Sequence, residues 1–145
     1  MKTTAVKPMK CEFATEGLLW IDKIATGVGL IIFNSEHKFA AGIHLLRGKS
    51  RGDFPENPAY YADTAIDHIY ETFKSKGINT NLSVAIAGGA NLLSTEEQLS
   101  VGQRLISTVK ALLSSKNLTV KLEAVGGNKL RTMILNIDEG KIQIS

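Results

Sequence analysis

The 145-residue chain holds one cysteine, Cys11, and three histidines, His37, His44 and His68. A thiol or hydroxyl becomes a useful nucleophile when a base stands beside it, and histidine titrates nearest to neutral pH. His44 closes an apolar run, so a strand would hold it; the plainer expectation is a strand-end histidine with ordinary hydrogen bonds, and the functional one is a general base. Two side chains are candidate nucleophiles, Thr26 and Cys11. A Thr hydroxyl is far less acidic than a thiol and needs strong base assistance, so the plainer expectation for Thr26 is a turn hydroxyl bonding locally. Cys11 is expected to behave as a small apolar residue unless the start of the chain brings it beside His44. The three histidines show no ligand spacing and no cysteine pair exists, so no metal centre is expected. The pairs Gly88-Gly89 and Gly126-Gly127 could cradle an anion, but they fit turns of positive φ and the floor of a pocket better. No G-x-G-x-x-G or P-loop pattern accompanies them, so no nucleotide cofactor is expected.

The elements that must position these groups follow from periodicity. Residues 17–24, 28–33 and 39–46 read as strands, with Asn34-Ser35-Glu36-His37 as a polar hairpin-like link. Residues 47–58 form a loop rich in Gly, Pro and charge. A helix follows, with Asn57 as its cap, Pro58 at its first position and Gly77 at its end. Asp63 near its start interacts favourably with the helix dipole, which accounts for the acid without catalysis. Residues 82–87 form the next strand. A second helix is expected over about 100–116, with Val101, Leu105, Val109 and Leu112 on its apolar face and a Ser94–Glu97 capping box in a short preceding turn. Residues 119–124, 132–137 and 141–144 close the chain as strands, the last two joined by a tight turn at Asp138-Glu139-Gly140. Two amphipathic helices must bury their faces on a sheet, so an α+β fold is expected, a mixed β-sheet sandwich flanked by two main helices, in one domain over 1–145.

Composition narrows the class further. Apolar residues make up 43% of the chain, which is enough for a packed core. The net charge of +3 is a mild excess, and the densest basic stretch, Arg47, Lys49 and Arg51, reads as a solvated loop, so no nucleic-acid partner is expected. Arg51-Gly52-Asp53 spells an adhesion tripeptide by coincidence. No stretch reads as a signal peptide or reaches bilayer-spanning length, so a cytoplasmic protein without direct membrane insertion is expected. The sequons at Asn81 and Asn117 would then go unused.

Four local features stand in order: His44 at a strand end, Tyr61-Ala62-Asp63-Thr64-Ala65 opening a helix, Ile86-Ala87-Gly88-Gly89-Ala90 ending a strand, and Gly126-Gly127-Asn128 followed by Arg131 and the Gly140-Lys141 hairpin. The series resembles the CheD family of chemoreceptor glutamine deamidases, over roughly residues 18–144. The resemblance implies the sheet-and-helix sandwich shared with bacterial-toxin-like cysteine hydrolases, and a thiolate attacking a receptor glutamine with a histidine as its base. In the family the Cys sits in a Gly-Ser-Cys turn. Here that turn reads Ala25-Thr26-Gly27, so Gly27 takes the nucleophile position, while Ile21 matches a catalytic Thr. The family's Leu-Pro after the His becomes Arg47-Gly48, and its Arg-Asn pair on the second helix becomes Arg104-Leu105. Gly126, Gly127 and Arg131 are expected to be structural, the arginine bonding the glycine loops. With these departures, the resemblance implies a catalytically inactive CheD-like chemotaxis protein with a binding or regulatory role on receptors or a CheC-type phosphatase. The alternatives are a protein-glutamine amidohydrolase using His44 with Thr26 or Cys11, and a fold recruited outside chemotaxis. If the alignment is right, the 25–27 turn lies near His44, with the Gly88-Gly89 loop close by.

Overall fold

The computed structural model describes residues 1–52 and 54–145; Asp53, and with it the end of the adhesion-like tripeptide, lies outside the described residues. The elements run β1 (Thr3–Ala5), β2 (Cys11–Ala14), β3 (Leu18–Ile24), β4 (Val28–Asn34), β5 (Phe39–Leu45), a 3-10 turn (Pro58–Tyr60), α1 (Ala62–Ser75), β6 (Ser83–Gly88), α2 (Glu96–Ser115), β7 (Val120–Val125), β8 (Arg131–Asn136) and β9 (Lys141–Ile144). They form a four-stranded sheet in the order β1-β3-β8-β9 and a five-stranded sheet in the order β2-β5-β4-β6-β7. Each sheet is mixed: β1 with β3 and β6 with β7 are parallel, and the other pairs are antiparallel. The α+β sandwich with two main helices is therefore present.

Two apolar layers hold it. One lies between the helices and the five-stranded sheet, where Ile66, Ile69, Phe73, Leu105, Val109 and Leu113 meet residues such as Leu30, Ile43 and Ile86. The other lies between the sheets, where Leu19, Ile21, Ile24, Met133 and Leu135 meet Ile31, Phe33, Ala85 and Ala87. Strand patterns follow from this layering. Every residue of β4 and β5 is buried, because a helix layer covers one face and a sheet the other. β3 alternates instead, with Leu19 and Ile21 inward and Trp20 and Asp22 outward, because nothing covers the outer face of its sheet.

Several local expectations are corrected. β1 and β2 were not anticipated; strands of three and four residues are too short to show a period, and their pairing with β3 and β5 creates them. Asn57 caps the 3-10 turn through Ala59 N, and Tyr61 takes the N-cap of α1. Gly77 ends α1 as expected, at φ +74°, with Gly77 N donating to Lys74 O and Ile78 N to Phe73 O. The second helix starts four residues early, at Glu96, because Thr95 and Gln98 form the cap in place of Ser94 and Glu97. Its buried face is Gly102, Leu105, Val109 and Leu113, while Val101 is 47% exposed. The rotation has a cause: a Cβ on Gly102 would fall 2.6 Å from Gly89 O, so α2 lies directly against the Gly88-Gly89 loop. A glycine inside a helical pattern reads as a weak point, not as a contact, which is why the sequence hid this face.

Candidate functional site

β4 and β5 pair with Gly29 opposite His44 and Val28 opposite Leu45. Ile43 and Leu45 belong to the helix layer, so His44 points the other way, into the layer between the sheets. It is 3% exposed. From the facing sheet, Ile24 and Met133 press into the space that Gly29 leaves empty: a Cβ there would meet Ile24 Cδ1 at 2.5 Å and Met133 Sδ at 2.9 Å. Ile21 stands opposite Met133 and is fully buried in the same layer. This wall is apolar, and His44 Nδ1 is buried with no hydrogen-bond partner. Burial lowers the pKa of His44 below its ordinary 6.5, so the ring is neutral at neutral pH.

The other ring nitrogen faces the turn. A Cβ built on Gly27 would lie 3.4 Å from His44 Nε2, so a side chain at position 27 would meet the imidazole. The same Cβ would lie 2.6 Å from Leu45 O and 2.7 Å from Leu46 Cδ2, so Leu46 leans into the space beside the missing side chain. The glycine loops lace onto this turn through their backbones. Gly89 N donates to Gly27 O, Ala90 N to Ala25 O, Gly126 N to Gly88 O, and Asn91 N to Gly127 O. Gly88, Gly89, Gly126 and Gly127 all have positive φ, which suits glycine. The structure thus brings together Gly27, His44, Gly88 and Gly89, as the alignment required.

Thr26 and Cys11 are placed differently. Thr26 Oγ1 donates to Ala90 O at 3.0 Å, tying the turn to the glycine loop. Cys11 pairs with Ile43, the neighbour of His44 in β5, and packs against the helix layer on the opposite face of the sheet. Burial, with a contribution from Glu12, pushes its thiol up to about 12, so the thiolate is scarce at neutral pH. Arg131 is half-buried beside the 126–127 loop, with Nη2 3.6 Å from the Cβ position of Gly127. Its Nε has no hydrogen-bond partner, so the expected bonding to the glycine loops is not seen at that atom.

The loop after His44 is also anchored. Asp63 accepts hydrogen bonds from Ser50 N at 2.9 Å and Ser50 Oγ at 2.8 Å. Burial alone would raise its pKa, but the bonds from Ser50 outweigh this and hold it below the usual value. Asp63 therefore does more than complement the helix dipole: it pins the 47–52 loop to α1. Sequence reasoning also missed Gly29, Gly102 and Leu46. The first two are seen only when one layer approaches another, and no local signal marks them. Among the described residues no group of three or more His, Cys, Asp or Glu side chains could hold a metal ion, and no helix is long and apolar enough to cross a membrane.

The pH dependence of stability follows from His44. Its folded pKa is depressed, so its contribution to stability is full above pH 6.5 and is lost as pH falls from there through the folded value. His44→Leu is expected to raise stability, by about 1–2 kcal/mol at pH 8 and by more at pH 5, because it removes a buried unpartnered nitrogen and the acid-side loss. Urea denaturation of both proteins at the two pH values checks this; an equal pH dependence would refute the assignment of the loss to His44.

Taken together, a two-sheet sandwich with helices on one side and a His-facing turn laced to two glycine loops has the architecture of the CheD-like proteins. A family profile described as "CheD chemotactic sensory transduction" matches residues 46–145. Proteins described as "Probable chemoreceptor glutamine deamidase CheD" are similar along most of the chain. One from Clostridium botulinum is 34% identical over 122 residues, covering 81% of this chain and 75% of its own. One from Desulforamulus reducens is 32% identical over 122 residues, with 81% and 74% covered. One from Methanococcus vannielii is 31% identical over 119 residues, with 81% and 77% covered. The chain belongs to the CheD family. The profile match starts two residues after His44, whereas coverage of 81% is longer than 46–145 and so reaches into the strands before His44.

Proposed function

We propose that this chain is a CheD-family chemotaxis protein that engages chemoreceptor cytoplasmic segments, or a CheC-type phosphatase, without deamidating them. The observation that carries the reading is at position 27. The backbone aims a side chain at His44 Nε2, at 3.4 Å from the Cβ position, and the residue there is glycine. Glutamine deamidation by a cysteine nucleophile requires a thiolate at that point, a base that takes its proton and a group that orients the base. The base is present in its neutral form, but the thiol is missing, and the residue that the family likeness matches to the orienting Thr is Ile21, which is buried and has no side-chain hydrogen-bonding group. The two substitute nucleophiles are poorly placed. Thr26 directs its proton to Ala90 O, and Cys11 lies on the far face of the sheet. An amidohydrolase using either one is therefore disfavoured.

Surface chemistry beside the turn supports a retained binding role. A groove of about 230 Å³ is lined by Leu46, Val101 and Leu105 with Lys49 and Arg104. Leu46 borders both the groove and the Gly27 space, so it stands between a segment seated in the groove and position 27. The whole chain acts as one CheD-like unit in this reading.

The test uses a chemoreceptor cytoplasmic fragment and a CheC-type phosphatase as separate ligands. Native protein is expected to bind one of them while releasing no ammonia from the receptor fragment above the protein-free background. His44→Ala is expected to bind equally well. Ammonia release by native protein, abolished in His44→Ala, would show an active enzyme. Absence of binding to both ligands would place the protein outside chemotaxis.

A further inference from the structure

The five-stranded sheet has one strand more than the four-stranded sheet, and β7 forms one of its edges. Ala85 in β6 faces the layer between the sheets, and Leu122 of β7 is its partner in register. Leu122 is 40% exposed, whereas Ile31, Phe33, Ala85 and Leu135 are buried. All of them, with half-buried Ile142 of β9, line a cavity of about 220 Å³ between the sheets at this edge. It is separate from the site around Gly27. Phe33 lies four residues along β4 from Gly29, which at about 3.3 Å per residue is about 13 Å.

The polar groups of the cavity sit at its mouth. Ser35 and Lys121, both exposed, and half-buried Ser83 contribute to the rim. Lys121 is the only charged residue in the lining, and among the described residues it enters no ion pair. An apolar slot with one cationic rim group and two hydroxyls matches a compact apolar body carrying a single anionic head. Size agrees, since an apolar cavity of about 150 Å³ holds a benzene.

We propose that this flank binds a small amphiphilic monocarboxylate, with its apolar body between the sheets and its carboxylate at Lys121. The site would give the protein a small-molecule input independent of the Gly27 groove, and it stands whether or not the functional reading above holds. The carboxylate gains a charge-assisted contact at the rim, while the body covers Leu122 and fills the cavity between the sheets.

The test is a titration of the native full chain with octanoate, followed by amide chemical shifts, with octanol as the uncharged probe of the same length. Saturable shifts are expected at Phe33, Ala85, Leu122 and Leu135. Lys121→Glu, on an exposed side chain that leaves the core untouched, is expected to weaken octanoate about tenfold, the weight of one charge-assisted contact. Octanol is expected to bind native and variant protein alike. No saturable shift, shifts centred away from these residues, or an octanoate affinity unchanged in Lys121→Glu would each overturn the proposal.

Discussion

Gly27→Cys combined with Ile21→Thr is expected to release ammonia from a chemoreceptor cytoplasmic fragment at least about a hundredfold faster than native protein. The geometry supplies the base. His44 Nε2 lies 3.4 Å from where the new Cβ would stand, and burial keeps the ring neutral and ready to take a proton. Once charged, the imidazolium would hold a neighbouring thiolate, which lowers the thiol pKa. Position 21 matters because His44 Nδ1 has no partner, and the family resemblance puts a Thr hydroxyl there. An unoriented base loses much of its effect, so Gly27→Cys alone is expected to gain less than the pair. One strain must be absorbed: the new Cβ approaches Leu45 O at 2.6 Å, so the turn has to shift by several tenths of an ångström, and Leu46 must swing aside from 2.7 Å. The added variant Leu46→Ala eases the second contact and is expected to raise the rate further. A double variant that folds, binds the receptor fragment and stays silent would show that more than these two groups has been lost.

Gly88→Ala is expected to lower stability by about 4 kcal/mol, which for a chain of this size lowers Tm by more than about 10 °C. Gly88 has φ +119°, where an L side chain is strained whatever the space. The space is also occupied: the added Cβ would lie 2.1 Å from Gly27 O and 2.7 Å from Ile24 Cγ2. Gly27 O accepts from Gly89 N, so relieving the clash breaks the lacing that sets the turn beside His44. Gly126→Ala is the comparison, because its φ of +78° is also positive, though nearer the left-handed region, and nothing lies within 4 Å of its Cβ position. It is expected to cost only about 1 kcal/mol. Thermal and urea unfolding of both variants measures the difference; equal losses would mean that backbone strain alone, not the close approach of the loops, sets the cost.

The long elements were legible because their periods are strong. β4 and β5 read as mainly apolar runs, with Asn34 ending the first and His44 near the end of the second, and α1 repeats Ala65, Ile66, Ile69 and Phe73 at helical spacing. Turn chemistry was legible where a glycine must take positive φ, as at Gly77 and Gly140. The start and facing of α2 were not. Its cap lies in Thr95 and Gln98, close to the expected pair but one residue later, and its facing depends on Gly102 meeting Gly89 across the fold.

For the site, the order and spacing of motifs along the sequence determined the family, the identity of the residue at position 27 and the single strand-borne histidine. These are facts of covalent order, and folding cannot change them. Tertiary structure decided what that order means in space: that a side chain at position 27 would face Nε2, that Nδ1 is buried without a partner, that Cys11 lies behind the sheet, and that the sheets differ by one strand. Each depends on which faces of separate strands are brought together by burial, and that is set by the packing of layers distant in sequence.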